Sequence, residues 1–180
     1  GYPAELLDTQ RRMHPEIVAF SNARYYQGKL KTKYYSDYTG KPIEIINING
    51  NEERIGTSYT NKLEAEKVIE MYNKLSQDFS DIVIISPYQA HINALKKLDS
   101  NLNIHTVDSF QGREAEAVIL TTVRTTNLGF WNDYRRLNVA MTRAKHVLKI
   151  IGNVNAWKQK EGPLKDLYSF FNKEIECNNS

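Results

Sequence analysis

Short continuous apolar runs alternate along this chain with stretches whose apolar residues recur every three or four positions. Ile82-Val83-Ile84-Ile85 is a run of the first kind, ending at Ser86-Pro87, and Val147 to Ile151 is another, stopped by Gly152-Asn153. Such runs read as strands buried on both faces of a parallel sheet. Ala117 to Val123 is a β-branched strand, Ile104 to Val107 a short one, and Ile43 to Ile48 alternates until Asn49-Gly50-Asn51 breaks it. The second kind of stretch predicts helices. Met13, Ile17 and Phe20 are spaced by four and three, with Pro15 suited to a first turn. From Asn61, a capping residue with Glu64 three positions on, the residues Ala65, Val68, Ile69, Tyr72 and Leu75 form one stripe. Ile92, Leu95 and Leu98 mark a third helix. Asp133 to Ala144 is a fourth, with Leu137, Ala140, Met141 and Ala144 on one face, and a last one lies near Leu164 to Phe171. Between the first helix and the first strand, Lys31 to Gly40 is a tyrosine-rich loop carrying Tyr34, Tyr35 and Tyr38.

Strands alternating with helices predict an α/β sandwich with a mostly parallel sheet. Ligands of such sheets gather at the carboxyl ends of the strands, where Ser86-Pro87-Tyr88, Asp108-Ser109 and Val123-Arg124 fall. No internal repeat or low-complexity tract divides the chain, and 180 residues is the size of one domain. A hydrophobic share of 41% with 25% charged residues argues against disorder. Lys and Arg total 24 against 21 Asp and Glu, and a net charge of +3 is too small to establish a polyanion partner. Eleven tyrosines and six phenylalanines among those basic residues lean toward nucleic acid, since stacking and phosphate pairing use both types. The one cysteine, Cys177, excludes an internal disulfide and leaves no cysteine zinc site. No apolar run approaches the ~20 residues of a membrane span. The start Gly1-Tyr2-Pro3-Ala4-Glu5 lacks the pattern of a signal peptide. The expected compartment is reducing: the cytoplasm, or a nucleus.

The chemistry begins with absences. No glycine opens a Gly-x-x-x-x-Gly-Lys-Ser/Thr loop, no strand ends in adjacent acids for magnesium, and neither a dinucleotide nor a hydrolase turn occurs. His14, His91, His105 and His146 have no metal-ligand spacing. Arginines stand out instead. Arg136, Val139 and Arg143 share a face of the 133–144 helix, and Arg12 precedes the helix begun by Pro15. A guanidinium held on a helix can take a phosphate bidentately. Solvated surface or intradomain ion pairs would use the same arginines. In Thr106-Val107-Asp108-Ser109-Phe110-Gln111-Gly112-Arg113-Glu114 the hydroxyls can donate to phosphates, Gly112 lets amides approach an anion, and Glu114 can accept from a sugar hydroxyl. A turn whose Asp and Ser satisfy local amides is the other reading. At Ser86-Pro87-Tyr88-Gln89, Tyr88 can stack on a base or pack on the sheet.

Taken together these segments resemble superfamily 1 helicases. The branch is that of the nonsense-mediated-decay helicase, senataxin and the immunoglobulin mu-binding helicase. Gln10-Arg11-Arg12-Met13-His14-Pro15, Phe20-Ser21-Asn22 and Tyr26-Gln27-Gly28-Lys29-Leu30 look like motif IV. Gly56-Thr57-Ser58-Tyr59 with Asn61 and Glu64-Ala65 is similar to the next block. Ser86 to His91 looks like motif IVa, Val107 to Glu114 like motif V, and Asn132 to Ala144 like motif VI. The blocks stand in the family's order over nearly the whole chain.

The resemblance implies a RecA-like three-layer sandwich, the P-loop NTPase fold without its own P-loop. Residues 1–60 would form an opening helix, tyrosine-rich loop and edge strand, and residues 61–175 the α/β core. It implies a second motor domain excised from a longer ATP-dependent helicase or translocase on single-stranded DNA or RNA. ATP and Mg2+ would be held mainly by the N-terminal RecA-like domain, so this piece alone would be inactive. No membrane or oligomer is called for. By position, Arg12 and Arg143 would be arginine fingers. Gln10, Arg11, Gly112 and Glu114 would join them around the nucleotide, and Pro87, Tyr88, Thr106 and Ser109 would line the nucleic-acid track. Two departures stand out: Arg11 replaces a usual Tyr beside the base, and His91 replaces a usual Gln. His14 is expected to orient Arg12 or pack. The competing reading is a non-catalytic nucleic-acid-binding scaffold built on the same fold.

Overall fold

A computed structural model describes residues 9, 10 and 13–178. In chain order the elements begin with β1 (Thr9–Gln10), α1 (Pro15–Tyr25), β2 (Lys31–Thr32), β3 (Ile43–Asn47), β4 (Glu53–Ile55), β5 (Ser58–Thr60) and α2 (Lys62–Leu75). They continue through β6 (Ile82–Ile85), α3 (Gln89–Leu98), β7 (Ile104–His105), β8 (Ala115–Thr121), α4 (Tyr134–Met141), β9 (Ala144–Gly152), α5 (Val154–Lys158) and α6 (Pro163–Asn178). Two 3-10 turns, Asp108–Phe110 and Gly129–Asn132, complete the set. Five strands make one sheet in the order β3-β9-β8-β6-β7, every pair parallel.

The apolar runs serve both faces because successive side chains point to opposite sides. Val83, Ile85, Val118, Leu120, Leu148 and Ile150 join α1, α4, α5 and α6 in one core. Ile82, Ile84, Ala117, Ile119, Val147 and Ile151 join α2 and α3 in the other. The result is three layers, α/β/α, with the central strands β6 and β8 covered on both sides. Lys149 is the one charged residue in the apolar run Val147 to Ile151. Its Nζ donates to the Lys41 carbonyl and lies 3.5 Å from Glu44, its register partner on the edge strand β3.

Four expectations need correction. Leu98 is exposed, because α3 ends there and its inward face stops at Leu95. β8 ends at Thr121, and Val123 leaves the strand with φ 67, an unusual conformation for a β-branched residue. Arg143 is not on a helix: α4 stops at Met141 and Thr142 caps it. Asn61 does cap α2 by accepting from the Glu64 amide at 3.3 Å, but Glu64 does not reach back to it. The Asn61 amide goes to His91, and the Glu64 carboxyl turns into the core.

Candidate functional site

All strands of the sheet run one way, so the expected site residues divide between its two ends. Gly112, Arg113 and Glu114 lead into β8, and Arg143 leads into β9, at the amino edge. Pro87 and Tyr88 follow β6, and Thr106 follows β7, at the carboxyl edge. The connection from Thr106 to Glu114 crosses between the two, fastened to the core by buried Val107 and Phe110.

At the amino edge the Ala115 amide donates to the Arg143 carbonyl at 2.9 Å, which sets the two segments side by side. The Arg143 guanidinium is half-buried and lodged on backbone: Nε donates to the Val139 carbonyl at 3.0 Å and Nη1 to the Arg113 carbonyl at 3.1 Å. Among the described residues it has no carboxylate partner. Gly112 is exposed with φ +75, and a Cβ there would meet no atom within 4 Å. Conformation, not crowding, asks for glycine, and the turn stays open to an approaching group. His14 arrives at the same edge, its amide donating to the Lys145 carbonyl at 2.9 Å. Its Nδ1 accepts from the Glu16 amide and caps α1, while its ring meets Tyr34 edge-on. Arg11 and Arg12 lie outside the described residues, as does the side chain of Gln10.

Asn138, in the motif VI segment, accepts from the buried Ser21 hydroxyl and ties α4 to α1. Arg136 lies 3.9 Å from Asp133 and over the Phe130 ring at 4.5 Å. Its surroundings are local.

At the carboxyl edge Thr106 and Ser109 bond to each other. The Ser109 amide donates to Thr106 Oγ1 at 3.1 Å, and the Ser109 hydroxyl donates to the Thr106 carbonyl at 3.2 Å. Ser109 itself is exposed. Tyr88 precedes α3, its amide held by Ser86 Oγ at 3.3 Å. Its ring meets Tyr59 edge-on at 5.8 Å, and its hydroxyl is buried beside Arg124.

Two polar clusters behind this edge went unread in the sequence. In the first, the Arg124 guanidinium lies 3.7 Å over the Tyr59 ring and 5.9 Å from that of Tyr88. Its Nε donates to Glu52 at 2.6 Å. The amides of Thr125 and Thr126, at 2.9 and 2.5 Å, and the Thr126 hydroxyl donate to the same carboxylate. Burial pushes the Glu52 carboxyl up, but these donors outweigh it and hold it at about 2. Gly129 completes the cluster with φ +53, and a Cβ there would come within 3.1 Å of Arg124 Nη1 and of the Tyr88 hydroxyl.

The second cluster buries Asn61, Glu64, His91 and Thr121. Glu64 Oε1 accepts from the Thr121 hydroxyl at 2.9 Å and from the Val123 amide at 3.0 Å. Since Thr121 gives its proton to Glu64, it accepts from His91 Nε2, 3.0 Å away. That leaves His91 Nδ1 as an acceptor for the Asn61 amide at 3.3 Å and the Thr60 hydroxyl at 3.2 Å. Burial raises Glu64 to about 7 and lowers His91 to about 4, so both neutral forms are favoured. His91, the departure noted in motif IVa, is therefore a core residue here. The sequence held one clue to both clusters: Val123-Arg124 stood at a strand's carboxyl end.

Among the described residues no group of three or more His, Cys, Asp or Glu could hold a metal ion, and no helix is long and apolar enough to cross a membrane.

The chain resembles known proteins along most of its length. It is 38% identical over 186 residues to an uncharacterized ATP-dependent helicase of Methanocaldococcus jannaschii, covering 88% of this chain and 28% of that protein. Helicase SEN1 of Saccharomyces cerevisiae is 33% identical over 181 residues, 82% of this chain and 8% of its own. Regulator of nonsense transcripts 1 of Dictyostelium discoideum is 34% identical over 183 residues, 85% of this chain and 14% of its own. The chain thus spans less than a third of the length of these relatives. The fold is shared with a crystal structure of the C-terminal domain of a "possible DNA helicase" from Lactobacillus plantarum, at TM-score 0.54 and 15% identity over 87% of this chain and 92% of that one. The AAA domain family matches residues 1–155. The chain belongs to that family, as a C-terminal domain of the superfamily 1 helicases related to Sen1 and the regulators of nonsense transcripts.

Proposed function

We propose that this chain is the second motor domain of an ATP-dependent helicase or translocase on single-stranded nucleic acid. Its amino edge would serve the nucleotide, and its carboxyl edge the strand. The observation that carries the reading is the setting of Arg143. A half-buried guanidinium held by two backbone carbonyls, with no described carboxylate to neutralise it, keeps its charge for an incoming anion. The open turn at Gly112 lies one residue from the carbonyl that holds it. Those groups fit a polyphosphate. The described residues offer no magnesium cage, so Mg2+ would be held by the N-terminal RecA-like domain. Bound ATP would supply the γ-phosphoryl group. Arg143, with Arg12 by resemblance, would add positive charge where negative charge develops, an effect worth roughly 10³–10⁵ in rate. Glu114 would accept from the ribose. Pro87, Tyr88, Thr106 and Ser109 would meet the strand through stacking and backbone contacts, with little sequence preference.

The test is Arg143→Ala in the full-length protein. Steady-state hydrolysis should fall about 10³-fold, with nucleic-acid affinity unchanged in the absence of nucleotide. Near-normal turnover with lost strand binding would move Arg143 to the track and end this assignment.

A further inference from the structure

The turn after β8 converges an unusual number of donors on one carboxylate. Glu52 Oε2 takes Arg124 Nε at 2.6 Å. Glu52 Oε1 takes the Thr125 amide at 2.9 Å, the Thr126 amide at 2.5 Å and the Thr126 hydroxyl at 2.5 Å, with the Thr125 hydroxyl at 3.4 Å. A carboxylate has about four lone-pair sites over its two oxygens, so four donors on one oxygen exceed what that oxygen can satisfy well. Two consecutive amides, two hydroxyls and a guanidinium are the set that binds a tetrahedral oxyanion, which spreads its charge over more acceptors. Glu52 reaches this turn from the β3–β4 connection, between exposed Asn51 and Glu53. Its amide also donates to Thr125 Oγ1 at 3.2 Å. Beside the turn stand the Tyr59 and Tyr88 rings.

We propose that Arg124-Thr125-Thr126 is a binding site for one phosphodiester group of a single-stranded nucleic acid, and that Glu52 is its internal occupant, displaced when the strand arrives. The proposal rests on the reading of the carboxyl edge as the track. It adds a subsite beside Tyr88 that the motif residues do not include. The ligand chemistry follows from the donors: hydroxyls and amides suit a phosphodiester, and the flanking rings suit the adjoining base. Glu52 sits deep in the site, with its carboxyl held at about 2, so it stays ionised at neutral pH and competes for the turn. The exchange keeps the guanidinium paired in both states, which avoids the cost of a lone buried charge.

The experiment compares the full-length protein with its Glu52→Ala and Glu52→Gln variants. Binding to a labelled homopolymeric single strand is followed by fluorescence anisotropy from low to high salt. Removing the competitor should tighten binding about 10-fold for Glu52→Ala and less for Glu52→Gln. If Glu52 is only an anchor for the turn, both variants bind more weakly or alike, and the proposal fails. Because Glu52→Ala can loosen the β4–β5 hairpin, the wild-type protein supplies a second measure. Its Thr125 and Thr126 amide resonances should shift as the oligonucleotide is added, and silence there with binding intact sinks the subsite alone. No strand binding by any form overturns the track together with the subsite.

Discussion

Glu64 and His91 should pull stability in opposite directions as pH changes, although they belong to one hydrogen-bonded cluster. Glu64 rises from 4.5 to about 7 because burial penalises its charged form, with the Val123 and Thr121 donors opposing. The folded protein therefore holds that proton more tightly than the unfolded chain. Its contribution is full below pH 4.5 and is lost as pH climbs to about 7, a change of about 3 kcal/mol. His91 falls from 6.5 to about 4 for the same reason, burial. Its contribution is full above pH 6.5 and is lost as pH drops toward 4, again about 3 kcal/mol. Across the shared window the two slopes, each about 1.4 kcal/mol per pH unit, cancel in the wild type. Substitution separates them. In Glu64→Gln the amide oxygen can keep both Thr121 and Val123, and nothing titrates. Denaturant melts of wild type and variant at pH 4, 5, 6 and 7 give the difference in stability, in which every other titrating group drops out. For Glu64→Gln that difference should move in the variant's favour by about 3 kcal/mol from pH 4.5 to 7. For His91→Gln it should move against the variant by a similar amount from pH 4 to 6.5. A pH-independent difference for either variant would mean that folding leaves its parent residue at its ordinary pKa, and the burial-shifted cluster would be wrong.

Two further predictions concern the two edges of the sheet. Gly129→Ala forces a side chain onto a backbone at φ +53 and against Arg124 and Tyr88; it should cost about 1–2 kcal/mol in thermal melts and weaken strand binding, and a neutral variant would show that the cluster yields easily. The chain by itself should not turn over ATP, since Arg143 without a phosphate cradle has no transition state to stabilise; turnover near ~1 s⁻¹ by the purified chain would place the active site elsewhere.

Legibility followed the kind of signal each feature leaves. The strands that became β6 and β9 were plain, because burial on both faces demands an unbroken apolar run. The long helices α2 and α6 were plain from their stripes. The five-residue α5 has too few turns to show one, and the β4–β5 hairpin carries Glu53, Arg54 and Ile55, all exposed, so no alternation marks it. Leu98 shows the limit of periodicity: the spacing continued after the partner surface had ended. Arg143 was singled out on a helix face and given its role by resemblance, and its removal from the helix follows from the cap at Thr142, which spacing does not reveal.

The clusters behind the carboxyl edge were hidden for a deeper reason. A carboxylate in a helix's first turn, such as Glu64, ordinarily faces solvent or the helix amides. Here it is buried because Val123 leaves β8 in a left-handed turn, and its amide needs an acceptor that no strand supplies. Glu52 is likewise explained by amides of Thr125 and Thr126 that a turn leaves unbonded. In both cases a carboxylate from elsewhere in the chain satisfies backbone released where a strand stops, 59 residues away for Glu64 and 73 for the Thr125 amide. No local pattern records such a partnership. It becomes visible only once β8 is known to end at Thr121, two residues earlier than its β-branched sequence indicates. The strand's early ending therefore frees the amides at Thr125 and Thr126, and with them the turn proposed to bind an anion, at the edge proposed for the nucleic acid.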